Sequence, residues 1–288
     1  MVDLSYDEVF DRVRSLSELA TLTNSLTAIL SITQDPSGTA KDLGTVISKD
    51  PALSMKLLKT VNSCFFGFER SIETIEDAVV LLGFAEVERL SMAVSVINHF
   101  GARTKRAKAL NQLWIHCLVC GIAAETLVEV YQVKKIEPGQ VYIAALLHDI
   151  GKAVLWQGFP EVMPEILSVM EEKNGTVHEA EREMLGGASH CEIGAWAAEQ
   201  WSLPLSTIET IQLHHSPQEF PKDNPLPKVV HMADALCYHV RVPAQRLPGD
   251  APQAGPPSYK FLHDNDTLLT RFRERYEAKR ATIESLTG

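Results

Sequence analysis

Helix-start signals recur along most of this sequence, and they constrain its fold more than any other feature. Thr39 precedes "AKDLGTVIS" with Asp42 three residues on. Thr176 with Glu179, Ser189 with Glu192, and Ser206 with Glu209 repeat the pattern. A Ser or Thr followed three residues later by an acid predicts a capping box, in which both side chains satisfy backbone N–H groups at a helix N-terminus. "DPALSMKLLKTVN" opens with Asp50 as N-cap and Pro51 at the first helical position, and its Leu53, Leu57, Leu58 and Val61 follow the helical period. Thr74 opens "IEDAVVLLG", which closes at Gly83, and "FAEVERLSMAVSVINHF" starts at once. A long helix is predicted from about Ala109 to Val130, and Pro138 starts the helix that carries "VYIAALLHD". No convincing alternating strand is present, so the expected fold class is all-α.

Composition narrows the class further. The chain has 288 residues, 45% hydrophobic and 22% charged, as in ordinary globular proteins. A net charge of −10 argues against a broad nucleic-acid footprint. The basic connector "GARTKRAK" (Arg103, Lys105, Arg106, Lys108) reads as a solvated junction or a phosphate-attracting patch. The apolar stretch "AVVLLGFAEVERLSMAVSVI" is broken by Glu86, Glu88 and Arg89, so no membrane span is expected there. The N-terminal "MVDLSYDEVFDRV" lacks the pattern of a signal peptide, and five cysteines without framework spacing read as reduced thiols, so the cytoplasm is the expected location. Cys117 and Cys120 share a helix face and read as buried thiols, with a redox pair as the alternative.

Asn62, ending the Pro51 helix, is expected to tolerate left-handed geometry, and Phe65, Phe66 and Phe68 in "NSCFFG" are expected to anchor a loop. Residues 241–260 hold five of the fifteen prolines and read as a linker. The last stretch, "DTLLTRFRERYEAKRATIESL", is an amphipathic helix with Leu268, Leu269, Phe272 and Tyr276 on one face, expected to dock on the body. The predicted organisation is an N-terminal helical lobe at 1–104, a helical core at 105–240, a Pro-rich linker at 241–264 and a C-terminal helix at 265–288.

The chemistry concentrates around "AALLHDIGKAVL". His148 and Asp149 end an apolar run, with Lys152 one turn on. His116, His190, His214, His215 and Asp234 lie on other predicted helices. Imidazole nitrogen together with carboxylate oxygen suits a borderline divalent metal, and helical bundles build such sites from side chains of several helices. His214 and His215 at a helix end are also compatible with C-terminal capping, and Lys152 with satisfying terminal carbonyls.

"LLHDIGK", with His116 upstream and Asp234 downstream, resembles the HD superfamily of metal-dependent phosphohydrolases. The resemblance implies metal-ligand roles for His116, His148, Asp149 and Asp234. His190, His214 and His215 are similar to the additional histidines of the multi-metal HD-GYP branch, and Lys152 to its phosphate-contacting lysine. Two positions depart from that branch: Ser216-Pro217 follow His215 without the GYP loop, and Gln112 stands where an acid is often found. "VISKDPALSMKLLKTVNSCFFG", "SIETIEDAVVLLGFAEVERL", "HCEIGAWAAEQWSLP" and "HHSP" resemble the HDOD family, HD-related output domains of bacterial signalling proteins, over roughly residues 15–240. That resemblance implies an N-terminal helical lobe packed on an HD-like bundle, and a regulatory role.

Three functions follow as expectations. The first is a signalling output module that acts through a regulatory protein partner, without established hydrolase activity. The second is a metal-dependent phosphohydrolase acting on a nucleotide or other phosphoester, in which Lys152 is catalytic. The third is an iron-based sensor. The implied cofactor is a divalent metal: Fe, Mn, Zn, Ni or Co.

Overall fold

The computed structural model describes residues 4–16, 24–35, 37–62, 72–100, 107–136, 138–240 and 265–287. Among these the chain is all-α, with no strand. The expected linker at 241–264, the aromatic residues of "NSCFFG" and most of "GARTKRAK" lie outside the described residues. Contacts group the chain into two compact units, 1–21 with 103–272, and 22–102 with 273–288. The linear division expected from the sequence places 1–21 with the N-terminal lobe, whereas its helix packs within the unit that holds 103–272.

In that unit, α1 (Tyr6–Ser15) begins at a capping box of Ser5 and Glu8. There follow α7 (Ala107–Val130), α8 (Pro138–Leu147), α9 (Ile150–Gly158), α10 (Met163–Lys173), α11 (Val177–Met184), α12 (His190–Gln200), α13 (Leu205–Leu213) and α14 (Leu226–Val240). Helix α7 packs against α8 and α14, α12 against α9 and α13, and α1 against α9. Helix α7 has the length and apolarity of a membrane span, a property the sequence reading assigned to no segment. Its most apolar window is 72% buried inside the protein, so its hydrophobicity is used in the core.

The other unit holds α2 (Asn24–Gln34), α3 (Ala40–Ser48), α4 (Pro51–Val61), α5 (Ile75–Leu82) and α6 (Phe84–His99). Helix α6 is its centre: Val87 and every residue from Leu90 to Ile97 are buried, and α2, α4 and α5 pack on it. The final helix, α15 (Asp266–Thr287), is docked rather than free, since Leu268, Phe272, Tyr276, Ile283 and Leu286 are buried. Its Lys279 pairs with Glu86 of α6.

The predicted boxes at Thr39/Asp42, Thr176/Glu179 and Ser189/Glu192 form with both reciprocal hydrogen bonds. The one at Ser206/Glu209 does not. Helix α13 starts directly after Pro204, whose extended ψ of 142° ends the preceding turn, so Ser206 is already inside the helix. Ser206 Oγ accepts from Gln140 Nε2 instead (3.0 Å), and Glu209 Oε2 from Asn224 Nδ2 (2.6 Å). Asn62 also differs from expectation. It sits in right-handed geometry, φ −82°, because its amide clamps the Ile72 main chain through both Nδ2 (2.8 Å) and Oδ1 (2.7 Å).

Two features generate predictions. Gly151 on α9 meets α12 so closely that an added Cβ would lie 1.9 Å from the His190 carbonyl oxygen. Gly194 on α12 faces the same crossing, its own Cβ direction 3.0 Å from Gly151 N. Backbone cannot yield as a side-chain tip can, so Gly151→Ala is expected to destabilise by about 1–3 kcal/mol, measured as a lower urea midpoint. An unchanged midpoint would show that α9 and α12 have room to separate.

Asp50 caps α4 by accepting from the N–H groups of Ala52 (3.1 Å) and Leu53 (3.0 Å) and from Ser25 Oγ (2.7 Å). The Leu53 N–H and the Ser25 hydroxyl hold its carboxyl below the usual range. Its contribution is therefore complete above the unfolded-state pKa of about 3.9 and fades as pH falls below it. Asp50→Ala should cost about 1 kcal/mol at neutral pH, and the gap to the parent protein should narrow at pH about 3. A gap that widens on acidification would contradict this assignment.

Candidate metal centre

His148 and Asp149 occupy the turn between α8 and α9, so the expected helix end is a junction of two helices. The apolar run before them, Val141 to Leu147, is buried except for Ile143, and it fixes the turn in the interior. His116 projects from the middle of α7, His190 is the first residue of α12, His214 caps α13, and Asp234 lies within α14. His116, His148, Asp149, His190, His214 and Asp234 are all buried, and His215 is partly exposed.

The structure brings the expected residues together as two groups. His116, His148 and Asp234 present donor atoms within 4.8 Å of one another, and so do Asp149, His190, His214 and His215. Asp149 stands between the groups. Its Oδ1 lies 3.4 Å from His190 Nε2 and 3.5 Å from His214 Nε2, while Oδ2 lies 3.4 Å from His148 Nε2 and 3.6 Å from His116 Nε2. One carboxylate thus offers an oxygen to each set of imidazoles. Lys152 Nζ pairs with Oδ2 at 2.9 Å, so Lys152 partners an acid.

Hydrogen bonding fixes the tautomers. His148 Nδ1 donates to the Ala145 carbonyl (2.7 Å) and His214 Nδ1 to the Ile211 carbonyl (2.8 Å), since a carbonyl can only accept. His190 Nδ1 faces Glu181 Oε2 at 2.5 Å. In neutral imidazoles held this way, each Nε2 carries a lone pair. His190 Nε2 and His214 Nε2 then point lone pairs at each other across 3.3 Å. That contact is unfavourable unless a proton or a metal cation lies between them.

The residues fit divalent metal on further grounds. Asp149 Oδ1 and Asp234 Oδ1 are buried and make no hydrogen bond, although Asp234 Oδ1 is 3.1 Å from His116 Nε2. Four ligands at about 2.1 Å around an ion stand about 3.4 Å apart, close to the 3.3–3.6 Å spacing of the nitrogens and oxygens around Asp149.

The electrostatics agree. Burial disfavours an ionised Asp149, yet the Lys152 ammonium beside it holds its carboxyl well below the usual range. Burial also opposes ionisation of Asp234, but His116 brings it down to about 2. His116 is pushed up in turn, the Asp234 contact outweighing burial. Burial pushes His215 well down, which favours the neutral ring a metal requires.

The centre is reachable. Lys152, His190, His215 and Asp234 line a pocket of about 240 Å³. His178, His231 and Tyr238 form more of its wall, and none of these three was singled out from the sequence. Glu181 was missed as well. A signal for it exists, because the buried face of α11 reads Val177, Ala180, Glu181, Met184, placing an acid at a core position of the helical period. The redox alternative for the cysteines receives no support: burial pushes the Cys117 and Cys120 thiols well up, away from the reactive thiolate.

Comparison with known proteins agrees with this architecture. A family model of the HDOD domain matches residues 19–217. An uncharacterized protein of Treponema pallidum (strain Nichols) is 28% identical over 243 residues, 83% of this chain and 46% of the relative, so the chain spans about half the length of the curated relative it matches. A solved structure from Shewanella amazonensis SB2B, provisionally described as a phosphohydrolase, is 21% identical with a TM-score of 0.70, covering 97% of this chain and 96% of that one. Another from Marinobacter aquaeolei VT8, provisionally described as a signal transduction protein, is 20% identical with a TM-score of 0.75, covering 100% of this chain and 68% of that one. At such identities these two likenesses concern the fold, and the family match carries the assignment: the chain belongs to the HDOD domain family.

Proposed function

We propose that this HDOD protein is a regulatory component of signal transduction whose HD-like helices hold divalent metal and hydrolyse a phosphoester. One observation carries the reading. Asp149 directs one oxygen to the His116/His148 pair and the other to the His190/His214 pair, inside a centre that opens on a pocket. An oxygen and nitrogen donor set of this kind suits Mn, Fe, Co, Ni or Zn. Bound divalent ions would supply positive charge to a phosphoryl group and activate water.

The protein's own groups do the rest. Asp149 and Asp234 are kept anionic, ready to hold cations, by the partners described above. Lys152, on the pocket wall, is placed to steady charge that develops on a phosphoryl oxygen. Apolar packing of α7, α8 and α14 keeps bulk water from the buried side, which strengthens each of these interactions.

A second reading has its own support. The Lys152 ammonium already pairs with the Asp149 oxygen that faces His116 and His148, as expected of a centre that serves binding without turnover. In that reading the body is an output module for a regulatory protein partner, and any metal acts as a structural ion or a sensor.

Two measurements separate these. Mn²⁺ at a hundred times its Kd should stabilise the protein by about 2.7 kcal/mol, and the effect should vanish in H148A/D149A. Failure of Mn²⁺, Fe²⁺, Zn²⁺, Co²⁺ and Ni²⁺ to shift the unfolding midpoint would sink the metal reading. In a screen of phosphoesters with the loaded protein, Lys152→Ala should lower kcat by about 100- to 1000-fold with the protein still folded. Metal uptake with no turnover on any phosphoester, and partner binding unchanged in H148A/D149A, would favour the output module.

A further inference from the structure

His190 is held differently from the other imidazoles of the centre. His148 and His214 each give the Nδ1 proton to a neutral main-chain carbonyl three residues back. His190 Nδ1 instead faces an acid, Glu181 Oε2, at 2.5 Å, and the same oxygen accepts the His190 backbone N–H at 2.9 Å; burial pushes the Glu181 carboxyl up to about 7, so above that pH it is a carboxylate that accepts the Nδ1 proton. Two bonds to one oxygen fix both the start of α12 and the rotation of the ring. They aim His190 Nε2 at Asp149 Oδ1 and His214 Nε2.

The position of Glu181 is costly in itself. It is wholly buried on the core face of α11, and its Oε1 makes no hydrogen bond. Burying a carboxylate in a core position is unfavourable unless its partners compensate, and an apolar residue would serve packing better. A carboxylate behind a ligating imidazole raises the basicity of the metal-facing nitrogen and fixes its tautomer, and loss of such a partner typically costs 10- to 100-fold in metal affinity. Among the described residues the group of His116, His148 and Asp234 has no equivalent: His148 leans on a carbonyl, and His116 Nδ1 makes no hydrogen bond there.

We infer that Glu181 is a positioning residue that locks His190 as the Nδ1–H tautomer, and that it makes the site of Asp149, His190, His214 and His215 the tighter of two unequal metal sites. This rests on the metal-binding reading above, and the test treats the two separately. In metal-free, ¹⁵N-labelled full-length protein at mildly alkaline pH, the His190 Nε2 resonance should lie in the unprotonated range. It should move toward the protonated range in Glu181→Ala. Glu181→Gln keeps the size and one acceptor oxygen, so it should retain the tautomer and guard against a mere folding defect. By titration calorimetry with Mn²⁺, Glu181→Ala should weaken the tighter binding event by about 10- to 100-fold, Glu181→Gln by less, and the second event should hardly change. A folded Glu181→Ala protein that keeps the Nδ1–H tautomer, or that weakens both Mn²⁺ events alike, overturns the inference. Parent protein that takes up no Mn²⁺ overturns the metal reading and the ranking of sites with it, while the tautomer result still decides the role of Glu181 toward His190.

Discussion

The centre depends on a single buried carboxylate. Asp149 is 1% exposed, and His116, His148, His190, His214 and Lys152 all reach within 3.6 Å of its oxygens. Such a group survives in a core only if nearby positive charge outweighs the loss of solvation. Lys152 provides that charge one helical turn away, and the surrounding imidazoles supply polar contact on both sides of the carboxylate. The backbone geometry serves the same end. Gly151 lets α9 approach the first residue of α12, and this brings Asp149 within 3.4 Å of His190. A side chain at position 151 would separate the two helices and, with them, the two groups of ligands.

Much of this was legible in the sequence, and the reasons are local. Capping boxes at Thr39, Thr176 and Ser189 are short-range hydrogen-bond patterns, so they can be read without tertiary knowledge. The Ser206 box failed because Pro204 dictated the start of α13 earlier, a competing local rule. The seven His and Asp candidates could be picked from residue chemistry and from a resemblance to HD proteins. Their division into two groups about Asp149 could not, because it depends on the crossing of six helices.

Glu181 shows the limit from the other side. The acid at position 179, two residues before it, completes a visible capping box and accounts for the acidic look of α11. The helical spacing of Val177, Ala180 and Met184 hints that Glu181 points inward, and their burial shows it. The grouping of residues 1–21 with 103–272 was equally invisible, since the packing of α1 on α9 joins positions far apart in sequence.

The charges of the centre also explain why its two halves are unlike. Asp149 and Asp234 are both held anionic, Lys152 supplies one positive charge, and His116 is shifted toward its charged form. On the His116 side, a proton can therefore stand in for a cation and bring the group near neutrality. Cation binding there must displace that proton, which makes affinity pH-dependent. On the His190 side the conflict lies between the two rings themselves. Both Nδ1 atoms already donate to fixed acceptors, and the two Nε2 lone pairs converge beside an Asp149 oxygen that makes no hydrogen bond. A proton or a metal cation between the two rings relieves this conflict, and the same fixed acceptors that create it set the geometry in which it is resolved.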